Sequence, residues 1–207
     1  MSLDPFYSKL IHTWQCGGPN GGPGGWAQYY YGIFEKAITD NNFKTVAEVG
    51  IGYGFHAKSI LQNTNIDKLY LIDPMQYYPN DPFATDVIKY GGFELLVKNI
   101  RTHLHSDEAR YTWLRQPSIT VTQQQIPNES LDAVFLDGDH SYKEVSQDLP
   151  FWFKKIRKGG WLLGDDYKSC FPETTRAVDE FARKNNLSLD FLYKPNNPYP
   201  IYKFVKN

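Results

Sequence analysis

From Lys44 onward, short apolar segments alternate with segments of helical periodicity, and this alternation constrains the fold more than any other feature of the chain. Strands that are joined through helices pair in parallel, and the helices cover both faces of the resulting sheet. The segments predicted as strands are 45–50, 68–73, 118–122, 131–137, 160–164, 188–193 and 201–205. The segments predicted as helices are 26–38, 55–61, 92–104, 142–156 and 172–184.

The last two predicted strands are connected differently. The segment between them, 194–200, is too short to hold a crossover helix, so strands 188–193 and 201–205 are expected to form an antiparallel hairpin. The sequence therefore predicts an α/β fold with a mostly parallel seven-stranded sheet, an antiparallel C-terminal hairpin and helices on both faces.

Charge and cysteine content narrow the class of protein. Lysine and arginine (22) nearly balance aspartate and glutamate (23), which gives no electrostatic reason to expect nucleic acid as a partner. The distant cysteines, Cys16 and Cys170, do not favour a disulfide framework and indicate a reducing compartment. Neither a membrane-spanning apolar run nor a signal peptide is evident. We therefore expect a cytoplasmic protein that is not inserted in a membrane.

The glycine-rich stretch from Cys16 to Gly25 is too poor in side chains to build a core. Because long glycine loops can close over a bound ligand, we interpret residues 1–43 as a glycine-rich lid followed by a helix. An unstructured entry segment is the alternative. Residues 44–207 form the main domain in this interpretation, and the whole chain is a single globular domain.

Three glycines, Gly50, Gly52 and Gly54, lie between the first predicted strand and the helix after it. Glycine allows a sharp turn and a close approach of the backbone to a ligand, with the helix N-terminus behind. Glu48 precedes the turn, where dinucleotide-binding chains usually carry an apolar residue. Asp73 ends the second predicted strand, where a carboxylate can accept both hydroxyls of a ribose. A nucleoside-containing ligand is therefore expected; a plain tight turn is the alternative.

Carboxylates also end the fourth and fifth predicted strands: Asp137 follows the fourth, and Asp165 and Asp166 follow the fifth. The carboxyl ends of parallel strands meet at one edge of a sheet, so these groups are expected to converge. Clustered carboxylates repel one another, and a hard divalent cation relieves the repulsion. Oxygen ligands favour Mg²⁺ or Mn²⁺ over zinc. Helix caps or turns are the alternative role for these aspartates.

The segment Glu48-Val-Gly-Ile-Gly-Tyr-Gly54 departs from the dinucleotide fingerprint and resembles the first motif of class I S-adenosylmethionine-dependent methyltransferases. The C-terminal hairpin agrees with their version of the Rossmann-like fold, and the resemblance extends from about Val46 to Val205. It implies S-adenosylmethionine as cofactor, with the glycines at its methionine and ribose parts. In such enzymes adenine is contacted just after the third strand. The implied cofactor contacts are Glu48, Gly50, Gly52, Gly54, Asp73, Gln123 and Gln124.

The three strand-end aspartates match the metal-ligand pattern of cation-dependent O-methyltransferases. The segment Leu136-Asp-Gly-Asp-His-Ser-Tyr142 resembles the macrocin-type sugar O-methyltransferase branch and its uncharacterised relatives. In that branch a histidine three residues after the first metal-binding aspartate is the general base, which corresponds to His140. The resemblance thus implies Asp137 and His140 as catalytic residues, and a sugar or glycan hydroxyl as acceptor.

Three protein carboxylates leave about three positions on an octahedral cation, so two neighbouring substrate oxygens fit, and a vicinal diol is expected. A catechol-type small-molecule O-methyltransferase is the first alternative. A nucleic-acid methyltransferase fits less well, because the usual Asp/Asn-Pro-Pro-Tyr type motif is replaced by Asp-Gly-Asp-His after the fourth strand. A binding module without catalytic activity is the third alternative. The sequence leaves the acceptor, the metal and the oligomeric state open.

Overall fold

The computed structural model describes residues 3–8, 32–79, 81–168, 171–193 and 200–207. The strands are β1 (Thr45–Val49), β2 (Lys68–Ile72), β3 (Tyr111–Leu114), β4 (Leu131–Leu136), β5 (Ile156–Gly164), β6 (Asp190–Leu192) and β7 (Ile201–Val205). The helices are α1 (Ile33–Asp40), α2 (Phe55–Asn63), α3 (Pro82–Lys89), α4 (Phe93–Leu104), α5 (Tyr142–Lys155) and α6 (Pro172–Asn185).

The described strands form one sheet in the order β3-β2-β1-β4-β5-β7-β6. All neighbours from β3 to β5 pair in parallel, whereas β7 runs antiparallel to both β5 and β6. The predicted seven-stranded sheet with an antiparallel C-terminal hairpin is thereby confirmed. The chain order reverses between β1 and β4, and the crevice at such a reversal is where open α/β sheets bind ligands.

Both faces of the central strands are buried, because helices pack on each side of the sheet. Val46 and Phe135 belong to a core on the face of α1, α2 and α4, whereas Ala47 and Val134 belong to a core with residues of α5 and α6. Alternate residues of one strand therefore enter opposite cores, which explains why β4 is an almost continuous apolar run. This packing fixes the strand ends that carry the polar residues of interest.

The third predicted strand was placed wrongly. Residues 118–122 alternate in the way of a strand, but Ser118–Thr120 form a short 3-10 helix and β3 lies earlier, pairing with β2. Tertiary contacts explain the difference: the Ser118 hydroxyl donates to the carboxylate of Asp148 and accepts the indole N–H of Trp152 at 2.6 Å. These bonds tie the segment to α5 rather than to a neighbouring strand.

Helix α3 was not among the predicted helices. Asp81 caps this helix by accepting the Phe83 N–H at 2.9 Å, and Pro82 stands in its first turn. The proposed lid and residues 26–31 of the first predicted helix lie outside the described residues. The division at residue 43 therefore stays a prediction. Among the described helices, none combines the length and the apolar character needed to cross a membrane.

Candidate active site

The turn after β1 has the backbone that its glycines suggested. Gly50, Gly52 and Gly54 have φ angles of 81°, 47° and 76°, a region that side chains disfavour. A Cβ on Gly50 would lie 2.1 Å from the carbonyl oxygen of Asp137, so this position requires glycine. A Cβ on Gly52 would meet no atom within 4 Å. The turn is thus packed closely against the loop after β4 and is open at Gly52.

Asp73 follows β2 and holds the glycine turn. Its Oδ2 accepts the Ile51 N–H at 3.0 Å, and its Oδ1 accepts the Met75 N–H at 2.8 Å. Burial raises the pKa of Asp73; the backbone N–H donors oppose this rise, and the charge of Glu48 adds to it. Each carboxylate oxygen has a second lone pair, so Asp73 retains acceptor capacity for a ligand hydroxyl at the open turn.

Glu48, which is only 1% exposed, pairs with His56 beneath the turn. Its Oε1 lies 2.8 Å from Nδ1 of His56, whereas its Oε2 has no hydrogen-bond partner among the described residues. On the other side, Nε2 of His56 lies 3.7 Å from Oε2 of Glu35. Burial lowers the pKa of His56, but the two glutamates outweigh it and raise this pKa to about 10. His56 is therefore an imidazolium at neutral pH.

These features fit a nucleoside ligand that carries a cationic group. The open turn at Gly52 admits the ligand, Asp73 can accept hydroxyl groups, and a buried carboxylate oxygen of Glu48 lacks a donor. An unsatisfied buried carboxylate oxygen is costly, and a cationic donor is its natural partner.

The adenine assignment of Gln123 and Gln124 loses its structural basis. It rested on a third strand ending at residue 122, whereas β3 ends at Leu114. Both glutamines are exposed, and Gln123 bonds locally to Asn128, donating to its Oδ1 at 2.6 Å. Arg115 and Gln116 occupy the positions just after β3.

The three strand-end aspartates do converge. Asp137, Asp165 and Asp166 are half-buried, and one carboxylate oxygen of each lies within 4.8 Å of the others. Backbone bonds extend the sheet to hold them: the Asp137 N–H donates to Val49 at 2.8 Å, and the Asp165 N–H donates to Leu136 at 3.1 Å. Burial and the neighbouring Asp166 raise the pKa of Asp165 to about 7. An oxygen donor set that resists full ionisation fits a hard divalent cation.

His140 adjoins this cluster. Its Nδ1 lies 3.1 Å from Oδ2 of Asp166, and its ring packs on Phe171 with the centroids 4.1 Å apart. The backbone also holds it, because the carbonyl of His140 accepts the hydroxyl of Thr174 at 3.2 Å. The structure thus brings the predicted base and the predicted metal ligands into one small pocket.

Several residues of this pocket were missed from the sequence. Asp148, Thr174 and Tyr202 line it together with the aspartates and His140. Burial raises the pKa of Asp148 to about 7, although its hydrogen bond from Ser118 opposes the rise. A signal for Asp148 existed, since it shares the inward face of α5 with the buried Val145, Leu149 and Trp152. An acid among such neighbours is unusual.

Comparisons with known proteins identify related sequences. A family model described as a methyltransferase domain matches residues 47–167. An uncharacterized protein of Acanthamoeba polyphaga mimivirus is 29% identical over 141 residues, which are 67% of this chain and 59% of that protein. This chain therefore matches less than two thirds of that relative's length.

Solved structures share the fold at low identity. An O-methyltransferase from Bacillus cereus, in complex with SAH, has a TM-score of 0.59 and 13% identity, covering 100% of this chain and 93% of that one. An rRNA methylase from Streptococcus thermophilus has a TM-score of 0.56 and 12% identity, covering 91% of this chain and 98% of that one. Because the fold is common to different acceptors, the acceptor has to be argued from the pocket.

Proposed function

This chain belongs to the methyltransferase domain family, and from that premise we propose that it moves a methyl group from S-adenosylmethionine to a hydroxyl of a sugar or glycan with the help of a divalent cation. The observation that carries the proposal is the convergence of Asp137, Asp165 and Asp166 within 4.8 Å of one another, beside His140. Methyl transfer to a hydroxyl needs a group that takes up a proton, and this pocket supplies one.

Mg²⁺ or Mn²⁺ would be held by Asp137, Asp165 and Asp166. When bound, such a cation supplies Lewis-acid activation of an acceptor oxygen. The protein's part is to gather three oxygen donors at the carboxyl ends of β4 and β5. Most of the backbone at these ends is anchored by the sheet, so the donor set is rigid.

His140 acts as the general base in this proposal. In the neutral tautomer that donates Nδ1–H to Asp166, Nε2 carries the lone pair and can accept a hydroxyl proton. Asp166 thereby orients the ring, in addition to its place in the donor set. Phe171 packs on the ring and limits its rotation.

The cofactor is expected beside the open turn at Gly52, with Asp73 at the ribose. Gly50 brings the turn against the loop that begins at Asp137, so cofactor and acceptor pockets share a wall. This closeness suits an in-line transfer, which requires donor and acceptor to be held in contact. Two adjacent substrate hydroxyls match the positions that three carboxylates leave on an octahedral cation. A vicinal diol is therefore the proposed acceptor.

Methyl transfer from labelled S-adenosylmethionine to a panel of acceptors tests the proposal. The panel contains sugars with vicinal hydroxyls, the matching deoxy sugars and catechols, each with and without EDTA. We expect methylation of a vicinal sugar diol, a large loss with the deoxy sugar and loss in EDTA that Mg²⁺ restores. Methylation of catechols alone would favour the small-molecule alternative, and full activity in EDTA would contradict the metal.

A further inference from the structure

A second buried polar cluster lies beside the glycine turn and is distinct from the three aspartates. It consists of Glu35 of α1, Glu48 of β1, and His56 and Ser59 of α2. All four side chains are buried, at 4%, 1%, 3% and 2% exposure. The four residues connect α1 and α2 to the end of β1. The aromatic rings of Phe34 and Phe135 pack against His56.

The four carboxylate oxygens of this cluster are unequally satisfied. Oε2 of Glu35 accepts the Gly32 N–H at 2.8 Å, and Oε1 of Glu35 accepts the hydroxyl of Ser59. Oε1 of Glu48 pairs with His56 at 2.8 Å. Only Oε2 of Glu48 lacks a donor among the described residues. The cluster therefore leaves one buried acceptor, two residues before the turn at Gly50.

The net charge of the cluster also favours a cationic partner. Two glutamates and one imidazolium sum to one negative charge. Hydrogen bonding and the charge of His56 outweigh burial and lower the pKa of Glu35, so Glu35 stays ionised. The negative charge of Glu48 also acts on Asp73 at the glycine turn, because it contributes to the raised pKa of Asp73. A cationic hydrogen-bond donor would complete the cluster.

We propose that His56 is a positioning residue for cofactor binding, which holds Glu48 through Oε1 and presents Oε2 of Glu48 to the ammonium group of the cofactor's methionine part. The sulfonium is not the group recognised, because it carries no hydrogen to donate. This inference rests on the proposed function only for the identity of the cofactor. It needs neither the acceptor nor the metal.

Two ligands separate recognition of the ammonium from general binding. S-adenosylhomocysteine keeps the amino-acid part, whereas 5′-deoxy-5′-methylthioadenosine keeps the adenosine and the sulfur but lacks that part. Calorimetric titration of the whole chain, without metal or acceptor, gives the ratio of the two dissociation constants. His56→Gln removes the charge while keeping a donor of similar size. Lys58→Ala is the control, since Lys58 lies on the same helix as His56 and loses its ion pair with Asp107 (2.8 Å), a residue outside that helix.

We expect His56→Gln to weaken S-adenosylhomocysteine binding by about tenfold and to leave the truncated ligand within about twofold, which corresponds to about 1.4 kcal/mol of lost discrimination. Lys58→Ala should leave the ratio unchanged. Equal weakening of both ligands by His56→Gln would mean a structural role only and would overturn the proposal. So would a wild-type protein that binds both ligands equally.

If His56→Gln does not fold, Glu48→Gln provides the second measurement, because glutamine keeps the shape and removes the negative charge. The same fall in the ratio is expected, and an unchanged ratio contradicts the proposal. Failure of the sugar-acceptor assignment would leave these titrations unaffected, so the two proposals fail separately.

Discussion

The imidazole of His140 lies against Asp166, with 3.1 Å between Nδ1 of the histidine and Oδ2 of the aspartate. The two residues come from different loops, His140 after β4 and Asp166 after β5, and the parallel pairing of those strands brings them together. Asp166 also belongs to the three-carboxylate cluster. One side chain therefore connects the proposed base with the proposed metal ligands.

Replacement of His140 by alanine should abolish most methyl transfer. Removal of a general base typically lowers the rate by about 10²- to 10⁴-fold, and we expect kcat to fall in this range. Binding of S-adenosylhomocysteine should stay the same, because the contacts described for His140 are with Asp166, Phe171 and Thr174, outside the glycine turn. His105→Ala is the control, since that histidine has a 78% exposed side chain and pairs with Glu108. A kcat within about twofold of wild type for His140→Ala would remove the proposed base.

Asp165→Asn should weaken Mn²⁺ binding by at least about tenfold, since it removes a charged oxygen from the cluster. Titration followed by the electron paramagnetic resonance signal of free Mn²⁺ measures the affinity directly. Asp139→Asn is the matched control: Asp139 lies in the neighbouring loop and accepts the Ser141 N–H at 2.7 Å, a bond that asparagine can also make. Equal affinities for the two variants would contradict the metal site.

The strand ends of this fold were predictable, because glycine, proline and apolar periodicity mark where strands stop. Parallel topology then brings residues from distant strand ends to one edge, so Asp137 and Asp165 could be placed together without coordinates. The third strand could not be located from the sequence, since Tyr111–Leu114 is only half-buried and shows no clear alternation of apolar and polar residues. The bonds that hold Ser118 to Asp148 and Trp152 are tertiary, and no local pattern reports them.

The cluster around His56 could not be predicted from the sequence either. The separation of His56 from Glu48 is eight residues, across the end of a strand and a turn, and the contact with Glu35 joins a different helix. Neither spacing is a known ligand pattern, so the sequence indicated no role for His56. The glycine turn itself was predictable, because three closely spaced positions with positive φ favour glycine.

Gly50→Ala should be far more damaging than Gly52→Ala. The new Cβ at position 50 would lie 2.1 Å from the carbonyl oxygen of Asp137, whereas position 52 has open space. We expect a loss of roughly 3 kcal/mol or more in the free energy of unfolding for Gly50→Ala, and about 1 kcal/mol, from backbone strain alone, for Gly52→Ala. Urea denaturation of both variants measures this difference. Equal losses would mean that the contact with Asp137 does not limit position 50.

The stability that His56 contributes should decrease as the pH rises. Its pKa is about 10 in the folded protein, above the ordinary value of 6.5. The contribution of a group with a raised pKa is fully present below pH 6.5 and is lost as the pH approaches 10, at up to about 1.4 kcal/mol for each pH unit. Glu35 and Glu48 face His56, and the lowered pKa of Glu35 keeps it ionised throughout this window. The charge of Asp165 also interacts with His56, and because burial and Asp166 raise the pKa of Asp165 to about 7, its ionisation supports the imidazolium in the lower part of the window. The free energy of unfolding of wild type minus that of His56→Gln, measured by urea denaturation between pH 6 and pH 10, should therefore shrink with increasing pH. A constant difference would show that His56 is not held as an imidazolium.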